Sequence, residues 1–180
     1  MTHSNPSTES AVFGGGCFWC TEAIYQHLKG VTSVVPGYSG GHTSNPNYDS
    51  IVTGRTGHAE VIQVEFDPAL ISYEDLLTVF FATHDPSSVN KQGADTGTQY
   101  RSVVFTTSET QAKIAKDFIK EIESDGKTKI VTDLAPLTVF YPAEDYHQNY
   151  YQRNQDQLYC QVVIDPKLKK LKERFKELLA

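Results

Sequence analysis

The segment AVFGGGCFWC at residues 11–20 guides the interpretation of the whole sequence. Its first three residues are apolar and stop at three glycines, a pattern that predicts a strand ending in a turn. Residues 18–28 then place apolar side chains at helical spacing until Gly30 ends the predicted helix. Cys17 therefore falls at the first turn of a helix, where free backbone N–H groups and the helix dipole stabilise a thiolate. The glycines are expected to leave this sulfur open to a substrate.

Strands and helices continue along the rest of the chain. Strands are predicted at residues 31–38, 60–66, 100–106, 129–131, 138–141 and 162–165, and helices at residues 73–83, 108–123, 145–153 and 167–179. Two polar stretches, residues 39–57 and 84–99, are predicted loops of a length that often carries function. The order strand, helix, strand, strand, helix, strand is typical of the split βαβ arrangement. We therefore expect an α+β fold, a ferredoxin-like split βαβ sandwich with extra C-terminal strands and helices.

The composition is that of a folded domain. Hydrophobic residues make up 39% and charged residues 21% of the 180 residues, which fits one hydrophobic core. No repeat or linker divides the chain. We expect a single catalytic domain over residues 1–180, in which residues 1–9 are flexible and residues 161–180 form a C-terminal strand and helix extension.

The charge pattern restricts the partners. The net charge of −6, without a basic stripe, argues against nucleic acid and against an anionic membrane surface. No apolar stretch is long enough to cross a bilayer, and the first ten residues lack the features of a secretory signal. We therefore expect a cytoplasmic protein, and we expect it to be a monomer.

The chain has three cysteines, Cys17, Cys20 and Cys160. A small and odd number of cysteines argues against a fold stabilised by disulfides. Cys17 and Cys20 form a C-x-x-C pair whose sulfurs can reach disulfide geometry on a helical turn. A redox dithiol, an inert buried cysteine and half of a zinc site are the readings open from this pair alone. Zinc would require histidine ligands, and none of the histidines has a ligand spacing, so no metal site is expected.

Five segments in a fixed order carry a resemblance to a known family. They are GCFW at 16–19, GYSGG at 37–41, GHAE at 57–60, GTQYRS at 97–102 and YHQ at 146–148. Together they resemble the A-type peptide methionine sulfoxide reductases, enzymes that act on the S epimer of the sulfoxide. The resemblance covers residues 11 to about 160 and implies an oxidoreductase that repairs oxidatively damaged protein.

The resemblance implies roles for four residues at the reacting sulfur. Cys17 resembles the nucleophile, Glu60 resembles the acid that protonates the sulfoxide oxygen, and Phe18 and Trp19 resemble the apolar walls around the substrate methyl group. The chemistry of these residues is suited to the reaction, which requires a sulfur nucleophile, a proton and an apolar pocket. Glu60 can act as an acid near neutral pH only if burial or its neighbours raise its pKa. Without the motif, an exposed edge carboxylate is the simpler interpretation of Glu60.

Further roles follow from the same resemblance. Tyr38 and Tyr100 resemble hydroxyl donors to the sulfoxide oxygen, and Asp95 resembles a carboxylate that shapes the site. His147 is a candidate for contact with the substrate backbone, although a hydrogen-bonded surface histidine is the simpler interpretation.

The implied cycle leaves Cys17 as a sulfenic acid, which a second cysteine converts to a disulfide that thioredoxin reduces. It requires no metal or organic cofactor. Cys160 resembles the family's C-terminal recycling cysteine and is slightly favoured, although the family's glycine-rich tail around it is missing. Cys20 is the alternative, because it lies one helical turn from Cys17.

Two other function classes remain open. A thioredoxin-like disulfide oxidoreductase would use Cys17 and Cys20 alone and would give Glu60 no role. A non-catalytic module that binds oxidised methionine would tolerate the loss of Cys17.

Overall fold

A computed structural model describes residues 7–180, in which a six-stranded mixed sheet forms the centre. The strands, in the spatial order β7-β6-β1-β3-β2-β8, are β7 (Asp133–Pro136), β6 (Ser102–Thr106), β1 (Glu9–Gly15), β3 (Ala59–Phe66), β2 (Val31–Ser39) and β8 (Phe140–Pro142). All neighbouring strands are antiparallel except β6 and β7, which are parallel.

Six α-helices and a small hairpin complete the described chain. They are α1 (Phe18–Tyr25), α2 (Tyr48–Ile51), α3 (Tyr73–Thr83), α4 (Glu109–Glu123), α5 (Tyr150–Arg153) and α6 (Asp165–Arg174), with the hairpin strands β4 (Lys91–Gln92) and β5 (Asp95–Thr96). Short 3₁₀ turns lie at Thr98–Tyr100, Asp145–His147 and Lys176–Leu178. Within residues 7–180, no helix combines the length and apolar composition needed to cross a bilayer.

The centre of the sheet follows the predicted pattern. β3 lies between β1 and β2, and its alternating apolar residues are buried on both faces because helices and further chain cover the sheet. α1, α3 and β1 pack together through Phe13, which stacks on Tyr25 and Phe80. The predicted order β1-α1-β2-β3-α3-β6 is confirmed, with α2 and the β4–β5 hairpin inserted in the two polar loops.

The C-terminal part differs from the prediction. Residues 162–165 do not form a strand, because a π-helical turn at Cys160–Ile164 runs directly into α6. Cys160, Ile164 and Leu168 are spaced along one helical face and are all buried in the core. Packing of this face therefore outweighs the strand propensity of the valines.

Other boundaries also moved. The strand predicted at residues 129–131 is absent, and β7 forms instead at Asp133–Pro136, where it can pair with β6. The neighbouring strand β8 is shifted slightly from the predicted 138–141. Glu9 already belongs to β1, so it is not part of a flexible terminus, and residues 1–6 of that prediction lie outside the described residues.

Candidate active site

Cys17 stands between β1 and α1, as the residue that precedes the first turn of the helix. Two of the glycines before it are required by the conformation and packing of the backbone and do not open a path to the sulfur. A side chain at Gly14 would come within 2.8 Å of Val103 Cγ1 and 2.9 Å of the Glu60 carbonyl oxygen. Gly16 has a φ of +94°, a conformation that favours glycine. The expectation that these glycines admit the substrate is therefore wrong for Gly14 and Gly16, which allow the turn and the close strand packing.

A cavity of about 100 Å³, called here the substrate cavity, lies against the Cys17 sulfur. Its lining combines a thiol, two carboxyl groups and aromatic side chains: Cys17, Phe18, Trp19, Tyr48, Glu60, Asp95, Tyr100 and Tyr159. Six of the ten predicted site residues therefore meet in one cavity. Tyr48 and Tyr159 were not predicted, and Tyr38, His147, Cys20 and Cys160 do not line it.

Glu60 is a buried carboxyl group, with 2% of its surface exposed, so the alternative of an exposed edge carboxylate is wrong. β3 directs it toward the start of α1, where the Phe18 N–H donates to its Oε1 atom at 3.3 Å. Burial raises the pKa of Glu60 to about 8; the Phe18 hydrogen bond opposes this, and nearby Asp95 adds to it. Glu60 is therefore mostly protonated at neutral pH and can donate a proton within the cavity.

Tyr38 is paired with Glu60 in the β2–β3 register, but it does not line the cavity. Its ring is fully buried, and its hydroxyl donates to Glu144 Oε1 at 3.2 Å. The prediction that Tyr38 serves the sulfoxide oxygen is therefore not supported by this geometry. The same Glu144 accepts the Tyr48 backbone N–H at 3.0 Å, and this contact fixes Tyr48 at the cavity.

Tyr48 was missed because it lies in a polar loop without periodicity. The only local signal is the cap of α2, in which the Asn47 side chain accepts from the Ser50 N–H and the Ser50 hydroxyl accepts from the Asn47 N–H. Tyr100 lies at the cavity as predicted. Burial and the neighbouring carboxyl groups of Glu60 and Asp95 raise the pKa of Tyr100, so its hydroxyl remains a hydrogen-bond donor.

Trp19 is held from behind by two aromatic rings. Its indole N–H donates to His147 Nδ1 at 3.0 Å, and its ring stacks on Tyr150. Because the buried His147 ring accepts at Nδ1, its own proton lies on Nε2, and burial lowers the pKa of the ring. His147 therefore supports Trp19 rather than lining the cavity, and the alternative of a surface histidine is also wrong.

Cys20 is the cysteine that meets Cys17. The two cysteines lie one turn apart at the start of α1. Interaction with the Cys17 thiol lowers the pKa of Cys20 to about 7, and the same interaction together with burial raises the pKa of Cys17. The Tyr159 hydroxyl lies 3.5 Å from the Cys20 sulfur. A proton lost from this pair therefore leaves one thiolate stabilised by a thiol and a phenol.

Cys160, although adjacent to Tyr159 in sequence, has no exposed surface and is packed in the hydrophobic core. All three cysteines are free. Among residues 7–180, no group of three or more His, Cys, Asp or Glu side chains is arranged to hold a metal ion.

The family model for peptide methionine sulfoxide reductase matches residues 9–179. This chain belongs to the peptide methionine sulfoxide reductase family. A relative, peptide methionine sulfoxide reductase MsrA of Polynucleobacter asymbioticus, is 52% identical over 178 residues, covering 97% of this chain and 93% of that protein. The family predicted from the five sequence segments is thereby confirmed.

Two structures of a yeast reductase are also similar to this chain. Mxr1 from Saccharomyces cerevisiae in reduced form has a TM-score of 0.79 at 32% identity, covering 88% of this chain and 92% of that one. Mxr1 in complex with Trx2 has a TM-score of 0.56 at 25% identity, covering 83% of this chain and 89% of that one. Both similarities support a mixed α/β fold for the reductase family member described here.

Proposed function

We propose that this chain reduces methionine S-sulfoxide, free or in proteins, to methionine, and so repairs oxidative damage. The observation that carries the proposal is the substrate cavity itself. It joins a sulfur nucleophile at Cys17, a protonated carboxyl group at Glu60 and apolar walls at Phe18 and Trp19. These are the three components that the reduction of a sulfoxide requires.

In the first step the Cys17 thiolate attacks the sulfoxide sulfur while Glu60 protonates the oxygen. The oxygen passes to Cys17 as a sulfenic acid, and methionine leaves with its sulfur reduced by two electrons. Tyr48 and Tyr100, whose hydroxyls remain protonated, donate hydrogen bonds to the oxygen as negative charge develops on it.

The apolar part of the cavity accounts for recognition of the methyl group. Phe18 is buried against Tyr38, and Trp19 is fixed by His147 and Tyr150, so both walls are rigid. A cavity of about 100 Å³ suits the methylsulfinyl end of the side chain and leaves the rest of the substrate at the surface. Free and protein-bound sulfoxides can therefore use the same cavity.

In the second step a thiol condenses with the Cys17 sulfenic acid, forming a disulfide and releasing water. Cys17 and Cys20 line the same cavity and lie one turn apart at the start of α1, which favours Cys20 as this thiol. Cys160 would have to leave the core by unwinding the helix that carries it, so the slight preference for Cys160 from sequence is reversed.

In the third step thioredoxin reduces the disulfide. The complex of the similar Mxr1 with Trx2 supports this choice of reductant. The cycle written in this way uses no metal or organic cofactor.

Three broader expectations remain part of the proposal. The order β6-β1-β3-β2, with each pair antiparallel, supports a ferredoxin-like description of the four central strands. The family match over residues 9–179 supports one catalytic domain. A monomeric state is part of the proposal, and so is a cytoplasmic location, which suits a thiol cycle that depends on a reducing compartment.

The test is a turnover assay on the separated S and R epimers with dithiothreitol as reductant. We expect consumption of the S epimer only, and loss of activity in Cys17→Ser, because a hydroxyl is a far poorer nucleophile than a thiolate. Cys160→Ala is the matched control and should retain turnover. Equal consumption of both epimers, or activity in pure Cys17→Ser, would contradict the proposal.

A further inference from the structure

A second cavity, of about 180 Å³, reaches the same pair of cysteines and is not used by the sulfoxide step. It is lined by both Cys17 and Cys20, whereas the substrate cavity is lined by Cys17 but not by Cys20. Asp95 and Tyr159 border both cavities. The two thiols are therefore approached by two separate spaces.

This second cavity adjoins an outer cavity of about 420 Å³, with which it shares Gln92, Gly93 and Lys167. Gly93 and Ala94, at the turn of the β4–β5 hairpin, are exposed, so the inner space lies close to the surface. Gly15 also lines the inner cavity. These two adjoining cavities, which extend from the exposed hairpin to Cys20, are called here the passage.

We propose that this passage is where the sulfur of the dithiol reductant reaches Cys20, so that reductant and sulfoxide use separate entrances. The inference rests on the function proposed above, since it requires the Cys17–Cys20 disulfide to form. A reductant that entered through the substrate cavity would meet the sulfur of Cys17 alone, because Cys20 does not line that cavity.

The exchange proceeds in two balanced steps. A thiolate of the reductant attacks the Cys20 sulfur, a mixed disulfide forms, and Cys17 leaves as a thiolate with the electron pair of the broken bond. The second thiol of the reductant, once deprotonated, then attacks the reductant sulfur that is bonded to Cys20. The mixed disulfide breaks, and Cys20 leaves as a thiolate that takes up a proton from solvent. The reductant ends as a disulfide, and the enzyme regains both reduced cysteines.

The groups around the passage suit Cys20 as the leaving sulfur of the second step. Lys167 lines the passage, and its positive charge helps to lower the pKa of Cys20, while the Tyr159 hydroxyl contacts the sulfur. Both favour the thiolate form, and a more stable thiolate leaves faster.

The first experiment obstructs the passage. Ala94→Trp adds a bulky side chain at its mouth, and Thr96→Trp adds the same side chain to the same hairpin, at an exposed residue that lines neither cavity. Pre-reduced Ala94→Trp should reduce one equivalent of sulfoxide at the wild-type rate. Reduction of its oxidised form by thioredoxin or dithiothreitol should slow by roughly tenfold or more, because access to the disulfide limits exchange. Thr96→Trp should behave as wild type in both measurements.

Recycling of Ala94→Trp at the wild-type rate would overturn the proposal that the reductant uses the passage. So would an equal slowing of the sulfoxide step and the recycling step, since the two entrances would then not be separate. Failure of the proposed function would be seen in a different result: the wild-type enzyme would reduce no sulfoxide in a single turnover.

The second experiment identifies the sulfur that is attacked. Oxidised Cys160→Ala enzyme is mixed with thioredoxin that lacks its own second cysteine, and the trapped mixed disulfide is mapped by mass spectrometry. Attachment at Cys20 supports the passage, and attachment at Cys17 overturns it. An excess of methionine, which occupies the substrate cavity, should leave the rate of trapping unchanged.

Discussion

The Trp19 indole lies flat against the Tyr150 ring, with 3.6 Å between the ring centroids and 4° between their planes. The start of α5 is held in this position by Glu22, which accepts the backbone N–H groups of Asn149 at 2.7 Å and Tyr150 at 3.3 Å. Because Glu22 and Trp19 both belong to α1, one helix presents the wall of the substrate cavity and anchors the support behind it.

Glu22→Gln tests this support. An amide offers one acceptor oxygen instead of two, so one of the two backbone N–H groups loses its partner and α5 loosens. We expect the KM for sulfoxide to rise several-fold with a smaller change in kcat. Trp19 is the only tryptophan of the chain, so a shift in intrinsic fluorescence reports its surroundings directly. Glu121→Gln, at an exposed position, is the control. Unchanged fluorescence emission and an unchanged KM in Glu22→Gln would show that Glu22 does not position Trp19.

Glu60→Gln tests the proton donor. Since the Glu60 pKa is raised to about 8, the acid is present below that pH and is lost as the pH rises through it. The wild-type single-turnover rate should therefore decrease as the pH rises above about 8. In Glu60→Gln the rate at neutral pH should fall by about a hundredfold, and the decrease above pH 8 should disappear. A decrease that persists in the variant would assign that ionisation to another group.

Tyr48→Phe and Tyr38→Phe separate the two tyrosines of this region. Tyr48 lines the substrate cavity, so loss of its hydroxyl should slow the sulfoxide step by about tenfold. Tyr38 donates to Glu144 instead, so its variant should lose about 1 kcal/mol of stability while the sulfoxide step changes little. Rapid-quench kinetics and denaturant unfolding measure the two effects, and the opposite ranking would restore the assignment made from sequence.

The recycling cysteine can be read from the disulfide that forms after one turnover without reductant. We expect a Cys17–Cys20 disulfide within one proteolytic peptide, because both cysteines line the same cavity and lie one turn apart at the start of α1. Cys160→Ala should still recycle on thioredoxin, and Cys20→Ser should not. A cross-linked pair of peptides containing Cys17 and Cys160 would reverse the assignment.

The sequence was sufficient for the centre of the fold and for the position of Cys17 at the start of a helix. The alternation in residues 60–66 predicts β3, and the glycine turn predicts a cysteine at a helix start, because both signals are local. The position of Tyr48 depends on a hydrogen bond to Glu144, 96 residues away, and no local pattern encodes that contact. The strand predicted at residues 162–165 failed for a related reason, since burial against the core, not valine propensity, determines the helix there.

The Tyr159 hydroxyl that contacts Cys20 follows it by 139 residues in the chain. At typical rates of synthesis, this tyrosine leaves the ribosome roughly ten seconds after the cysteine. A nascent chain in that interval carries both reactive thiols without Tyr159, and, at first, without the loop that bears Asp95 and Tyr100. The contact between Tyr159 and Cys20 can therefore form only when translation has reached the last helices.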